Sequence, residues 1–175
     1  MIKNKYITIL TYISFVLIIL LINKVKTNNY LIENLKYLKS EYIFDKLNKA
    51  DKEIFSKKGK IYIINLWASN CKPCIKEILA LNKLYDTHKA DNIKFIAISK
   101  FKNDSVDLKK LNINFKFEKY YHKSKLFDFL QNLNPNNKLV IPITIIINKK
   151  GEIEYYFEGY SENNIKVTEN YLSAK

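Results

Sequence analysis

The stretch WASNCKPC, from Trp67 to Cys74, decides the fold, because it holds both cysteines of the chain two residues apart. A continuous apolar run at residues 61–66 precedes it, and apolar residues recur every three or four positions behind it, from Ile75 to Tyr85. The first pattern is typical of a buried strand and the second of an amphipathic helix. The cysteine pair is therefore predicted to lie where a central strand ends and a helix begins, a place suited to redox chemistry.

The length and charge of the chain limit the classes of function. Its 175 residues fit one domain with appendages, and 30 Lys+Arg against 17 Asp+Glu give a net charge of +13. Nucleic-acid binding would favour a basic stripe with interleaved aromatic residues, whereas these lysines are scattered. We therefore predict no nucleic-acid partner and mostly solvated charges, with a weak attraction to anionic lipid or to acidic partners as the alternative.

Two cysteines do not make a disulfide scaffold. A disulfide that closes so short a loop gains little stability from loop entropy. The pair is therefore predicted to be reactive, or to supply half of a metal site.

Residues 6–22 form an uncharged apolar segment that follows Lys3 and Lys5. As a helix of about 17 residues it would be about 26 Å long, slightly short of a hydrocarbon core of about 30 Å. No small-residue cleavage pattern follows it, so we favour an uncleaved membrane anchor over a cleaved signal peptide and, third, a buried core helix. A short N-terminal tail normally stays in the cytoplasm, which would place the body of the chain in an oxidising compartment.

The middle of the chain continues with alternating strand and helix patterns. The apolar run at residues 93–98 predicts a second buried strand, and the order strand, helix, strand implies a right-handed parallel crossover. A short helix at residues 105–111, an extended segment at 115–121 and a helix at 124–133 follow, the last capped by Ser124.

Pro142 interrupts the apolar run at residues 139–147. Because proline cannot donate to a sheet ladder, it is predicted to mark a strand start or a bulge, with a cis peptide bond as one option. A turn at residues 149–151 and a returning strand at 152–157 come next. Ser161 is then predicted to cap a final helix that ends near residue 172.

Together these residues resemble the thioredoxin superfamily, and within it the membrane-anchored thiol-disulfide oxidoreductases of the TlpA/ResA type. The matching pieces are WASxCxPC at residues 67–74, Lys76-Glu77 on the following helix, and Ile141-Pro142-x-Thr144 before residues 145–151. A CxPC motif behind a strand and a tryptophan, with a strand-leading proline about 70 residues later, is specific to this superfamily. The resemblance covers roughly residues 59–172.

The resemblance implies a thioredoxin-like α/β fold, with a central mixed sheet flanked by helices, at residues 58–175. The membrane anchor at residues 1–26 and a stalk with an N-terminal extension at residues 27–57 would precede it. Cys71 and Cys74 would be the catalytic pair. Five residues would shape the redox site: Trp67, Lys72, Pro73, Ile141 and Pro142. The family pattern puts the Ile141–Pro142 bond, in cis, against the cysteines, where it would expose backbone to a substrate and exclude a metal.

The predicted position of each cysteine suggests its role. At a helix N-terminus, unpaired N–H groups and the helix dipole favour a negative sulfur, and Lys72 adds a cation. The pKa of the Cys71 thiol is therefore predicted to lie below the free value of about 8.5, as a nucleophile requires. Cys74 lies one turn further in and suits the resolving role, and Pro73 is tolerated in the first helical turn.

The chain departs from the superfamily pattern at three positions. Asn70 stands where an aromatic residue often precedes the first cysteine, and Lys72 replaces the common glycine. Asn65 occupies the position where classical thioredoxins carry a buried acid. The proton acceptor for Cys74 is left unidentified. Glu77 is a weak candidate, because it is predicted to be a solvated helix residue.

The resemblance implies an enzyme that reduces protein disulfides on the extracytoplasmic (periplasmic) side, in cytochrome c maturation or general redox homeostasis. Its partners would be protein thiols and disulfides and a membrane protein that donates electrons, with no cofactor. Residue identity leaves the direction open, since it depends on the reduction potential.

The alternative is a copper or zinc chaperone on the same fold. Two cysteines need further metal ligands, and His88 and His122 are poorly spaced for that, so we predict no metal site. A degenerate interaction domain ranks last, because both cysteines and the proline are present.

Overall fold

A computed structural model describes residues 13–19, 59–90, 92–99, 101, 103–105, 113–121, 125–133 and 139–175. Its strands are β1 (Ile61–Trp67), β2 (Ile93–Ser99), β3 (Glu118–Tyr120), β4 (Ile143–Ile147) and β5 (Ile153–Glu158). Its helices in the same region are α1 (Lys72–His88), α2 (Lys125–Leu133) and α3 (Glu162–Ser173).

The described strands form one mixed sheet in the order β3-β2-β1-β4-β5. β1 lies at its centre, parallel to β2 and antiparallel to β4. β1 and β2 are parallel neighbours, and the chain connects them through α1. This is the crossover connection that the sequence predicts. The central mixed sheet flanked by helices that the resemblance implies is therefore confirmed.

All seven residues of β1 are buried, as expected for a strand at the centre of a sheet that is covered on both faces. Successive side chains of a strand point to opposite faces, so its residues divide between two cores. Tyr62, Ile64 and Leu66 pack in the cluster that contains the buried residues of α2. The second cluster contains buried residues of α1 and α3 together with three residues of β1, Ile61, Ile63 and Trp67. A run that is apolar throughout is what a strand covered on both faces requires.

The strand after Pro142 begins at Ile143, so the proline marks a strand start, as predicted. The Ile141–Pro142 peptide bond is cis. Gly151 supplies a φ of 86° in the turn between β4 and β5, a conformation that a side chain would disfavour. Ser161 caps α3 by accepting the N–H of Asn164 at 3.1 Å, which confirms that prediction.

Several predicted elements lie wholly or partly outside the described residues. Of the predicted short helix at residues 105–111, only residue 105 is described, and the Ser124 cap is not described. In the predicted extended segment at residues 115–121, the strand is limited to β3.

Only residues 13–19 of the predicted membrane anchor are described, and they are helical, with exposed apolar side chains. Among the residues that the structure describes, no helix has the length and apolar character needed to cross a membrane. The rest of residues 1–26 and the predicted stalk and extension at residues 27–57 lie outside the described part of the chain.

Candidate active site

The site begins where β1 ends and a short turn at residues 68–71 leads into α1. Cys71 is the N-cap of α1, with extended backbone, and its sulfur accepts the N–H of Cys74 at 3.2 Å. Pro73 lies in the first turn of α1, where a missing N–H leaves no helical hydrogen bond unmade. The sulfur of Cys71 therefore takes the place that a serine or aspartate oxygen occupies in most helix caps.

Cys71 and Cys74 form a disulfide. Cys74 is fully buried, whereas Cys71 is partly exposed. Of the two sulfurs, that of Cys71 is the one that another protein can reach. This exposure is what the predicted roles of attacking and resolving cysteine require.

The segment that carries Pro142 lies against the cysteines. The carbonyl oxygen of Ile141 is 3.6 Å from the sulfur of Cys71. A disulfide sulfur carries no proton, so in this oxidised state the pair is a contact rather than a hydrogen bond. The two chain segments, 70 residues apart in sequence, thus meet at the accessible sulfur.

The other predicted residues of the site differ in exposure. Lys72 and Pro73 are exposed on the first turn of α1. Trp67 is fully buried, and its ring packs against Phe115 at 5.0 Å and edge-on against Tyr121 at 6.4 Å between ring centroids. Trp67 therefore contributes to the site through packing in the core cluster that also contains Cys74.

A buried polar cluster lies on the α1 side of β1. Glu77 is 1% exposed and accepts a hydrogen bond from the Asn65 amide at 2.7 Å. The same amide nitrogen of Asn65 lies 3.3 Å from the hydroxyl of Thr144. The prediction that Glu77 is a solvated helix residue is therefore wrong.

The physical reason is helical spacing. Glu77 follows Cys74 by three residues and precedes Ile78 by one, and both neighbours are fully buried, so all three lie on the core face of α1. Asn65 is the polar residue in an otherwise apolar strand, on the β1 face that is covered by α1. The coincidence of a polar residue in β1 with an acid on the core face of α1 is the signal from which the pair could have been found.

Burial raises the pKa of Glu77 from 4.5 to about 7, because a buried carboxylate loses its hydration. Hydrogen bonds from Thr144 and Asn65 act in the opposite direction but are the weaker effect. A carboxyl group with this pKa exchanges its proton readily near neutral pH. The site thus holds its buried acid on the helix, whereas classical thioredoxins carry theirs on the strand, at the position of Asn65.

In the described part of the chain, no group of three or more His, Cys, Asp or Glu side chains is placed to hold a metal ion. His88 ends α1, and His122 lies outside the described residues.

Comparison with known proteins gives a family and several relatives. The sequence model of the AhpC/TSA family matches residues 38–156. Thiol-disulfide oxidoreductase ResA of Geobacillus kaustophilus is 26% identical over 125 residues, which cover 68% of this chain and 66% of that protein. Sporulation thiol-disulfide oxidoreductase A of Bacillus subtilis is 28% identical over 97 residues, which cover 55% of this chain and 58% of that protein. The chain therefore spans less than two thirds of the length of either relative.

A solved structure supports the fold. The crystal structure of a thioredoxin-related protein from Neisseria meningitidis serogroup B matches with a TM-score of 0.50 at 25% identity. The match covers 70% of this chain and 91% of that one. The described domain is thus similar to a thioredoxin-related protein over most of that protein's length.

The raised pKa of Glu77 makes the stability of the oxidised protein depend on pH. The folded state keeps the proton of Glu77 up to about pH 7, whereas the unfolded state releases it near 4.5, so stability falls as pH rises through this window. The total loss is on the order of 3 kcal/mol. Glu77→Gln removes this titration. We therefore expect the free energy of unfolding of the variant to rise relative to that of the wild type as the pH increases from 4.5 to about 7.

Denaturant unfolding of the oxidised full chain from pH 4 to 8.5 measures this effect. Glu169→Gln, an exposed position on α3, is the matched control and should keep the wild-type pH profile. Parallel profiles for the wild type and Glu77→Gln would contradict the prediction.

Proposed function

The chain belongs to the AhpC/TSA family, and we propose that it is a thiol-disulfide oxidoreductase that reduces disulfides in other proteins. The observation that carries this proposal is the Cys71–Cys74 disulfide at the N-terminus of α1, with one sulfur accessible and the other buried. The similarity to two thiol-disulfide oxidoreductases supports it.

The first chemical step belongs to Cys71. In the reduced protein, the N–H of Cys74 and the positive end of the α1 dipole stabilise the Cys71 thiolate. The thiolate attacks one sulfur of a substrate disulfide, so that a new disulfide forms between protein and substrate. The substrate disulfide breaks, and its other sulfur leaves as a thiolate that takes a proton from water.

The second step releases the substrate. Cys74 loses its proton and attacks the sulfur of Cys71, which breaks the mixed disulfide and frees the second substrate thiolate. Two electrons have then passed to the substrate, and the Cys71–Cys74 disulfide of the structure is the product.

The buried sulfur of Cys74 needs a base within the protein, because water does not reach it. Glu77 lies one turn further along the same face of α1, and its pKa of about 7 suits proton transfer at neutral pH. We assign Glu77 as the proton acceptor, held by the amide of Asn65.

The segment at Ile141 would contact the substrate. A chain that brings its cysteine to Cys71 must pass the Ile141 carbonyl, 3.6 Å from that sulfur. Contacts with backbone groups do not depend on the side chains of the partner, so this arrangement tolerates different protein substrates.

We further propose that residues 1–26 anchor the protein in the membrane, with the catalytic domain on the extracytoplasmic side. The uncharged segment at residues 6–22 supports the anchor, and a dithiol site suits an oxidising compartment where substrate disulfides form. A membrane protein would supply the electrons that return Cys71 and Cys74 to the dithiol. Proteins that need reduced cysteines outside the cytoplasm, such as cytochromes c during maturation, would be the substrates.

Substitutions of the two cysteines are expected to have different effects on the reaction. Cys71→Ser should abolish insulin-disulfide reduction, because it removes the attacking thiolate. Cys74→Ser should instead accumulate mixed disulfides, because the second attack is lost, and these are visible on non-reducing gels. Lys83→Ala, at an exposed position on α1, serves as the unaffected control. Full insulin reduction by Cys71→Ser would refute the assignment.

The membrane proposal predicts how the protein distributes in cells. The full chain should sediment with membranes and be digested by protease added to spheroplasts, because its catalytic domain lies outside. A chain that lacks residues 1–26 should appear in the soluble cytoplasmic fraction and resist the same protease. Recovery of the full chain in the soluble cytoplasmic fraction would contradict the proposal.

A further inference from the structure

Asp104 is a second buried acid, 2% exposed, and it has no role in the two steps of disulfide exchange proposed for Cys71 and Cys74. One of its carboxylate oxygens accepts the backbone N–H of Ser69 at 3.2 Å and the Ser69 hydroxyl at 2.6 Å. The other oxygen accepts the hydroxyl of Ser99 and the backbone N–H of Phe101, the latter at 3.4 Å. Each oxygen thus lies within hydrogen-bond distance of two donors, and the Phe101 N–H is shared with the Ser99 hydroxyl oxygen, which lies closer at 3.0 Å.

The two oxygens of Asp104 bind two different chain segments. Ser69 lies in the turn that carries Cys71, and Ser99 is the last residue of β2. Trp67 pairs with Ser99 in the parallel ladder, so the ends of β1 and β2 lie side by side at one edge of the sheet. Asp104 therefore joins the turn of the active site to the segment that follows β2.

The turn at residues 68–71 is held from two directions. Within the turn, the N–H of Cys71 donates to the carbonyl of Ala68 at 3.2 Å. From outside, Asp104 binds both the backbone and the side chain of Ser69. Without Asp104, the N–H of Ser69 would lose this buried acceptor.

The carboxylate of Asp104 also acts on the pKa of one aromatic residue, Tyr121. Burial raises the pKa of Tyr121, and the charge of Asp104 raises it further. Tyr121 packs edge-on against Trp67, the residue with which β1 ends. Asp104 thus acts electrostatically on Tyr121, which in turn packs against Trp67.

We propose that Asp104 is a positioning residue for thiol-disulfide exchange. It acts through Ser69, fixing the turn so that the sulfur of Cys71 faces Ile141 and the disulfide of a bound protein. Attack on a disulfide requires the three sulfur atoms to be aligned, and a misplaced nucleophile loses rate even when it is fully ionised. This inference rests on the proposed function.

The test uses the reduced full chain and two reagents. Single-turnover reduction of insulin is followed to the high-pH plateau, where Cys71 is fully ionised and the fraction of thiolate no longer differs between variants. For Asp104→Asn, we expect the plateau rate to fall about tenfold. Alkylation of Cys71 by iodoacetamide should stay within about twofold at its own plateau, because a small reagent needs no fixed orientation.

Asn82→Ala is the matched control for a loss of stability alone. Asn82 is also a buried polar residue that fastens α1 to another segment, since its amide binds the Asn114 carbonyl at 2.7 Å and the Lys116 N–H at 2.9 Å. Its loss should lower the free energy of unfolding and leave the insulin plateau within about twofold of the wild type.

A second pair of variants decides the question if Asp104→Asn does not fold. Ser69→Ala removes one donor to Asp104 and should lower the insulin plateau about threefold, whereas Ser69→Thr keeps the hydroxyl and should restore it.

A wild-type insulin plateau in folded Asp104→Asn, or in Ser69→Ala when the first variant fails to fold, would overturn the inference. An equal loss in Asn82→Ala would also overturn it. A wild-type protein that cannot reduce insulin would instead refute the proposed function, so the two failures are distinguishable.

Discussion

The hydrogen bond from the N–H of Cys74 to the sulfur of Cys71 is the contact on which the site depends. It makes a sulfur the cap of α1 and so fixes the sulfur at the positive end of the helix dipole. A cap residue lies outside the first helical turn, which leaves Cys71 partly accessible while Cys74 is buried. We propose that this one local geometry stabilises the Cys71 thiolate in the reduced protein, gives a partner access to it and shelters the second sulfur.

The rest of the domain holds this cap in place. β1 is buried on both faces and ends at Trp67, four residues before Cys71, so the position of the turn follows from the centre of the sheet. Ile141 meets the accessible sulfur from the start of β4, and Asp104 holds the turn from the segment after β2. Three segments distant in sequence thus define the environment of one sulfur.

Much of this arrangement follows from local patterns. β1, β2 and α1 were predictable because apolar runs and helical spacing record burial directly, and Pro142 had to mark a strand start or a bulge. The burial of Glu77 was missed because a glutamate on a helix is usually solvated. Its spacing from Cys74 and Ile78 places it on the core face of α1, and the polar Asn65 in β1 is the second signal for the buried pair. The contact between Asp104 and Ser69 joins residues 35 positions apart and leaves no periodic signal. Long-range polar contacts between turns are the part that the three-dimensional structure adds.

The most direct measurement is the thiol pKa of Cys71 in the reduced Cys74→Ser protein, from the ultraviolet absorbance of the thiolate. A sulfur that caps α1 should titrate clearly below the free value of about 8.5, and below Cys74 in the reduced Cys71→Ser protein. A pKa for Cys71 at or above about 8.5 would contradict the account.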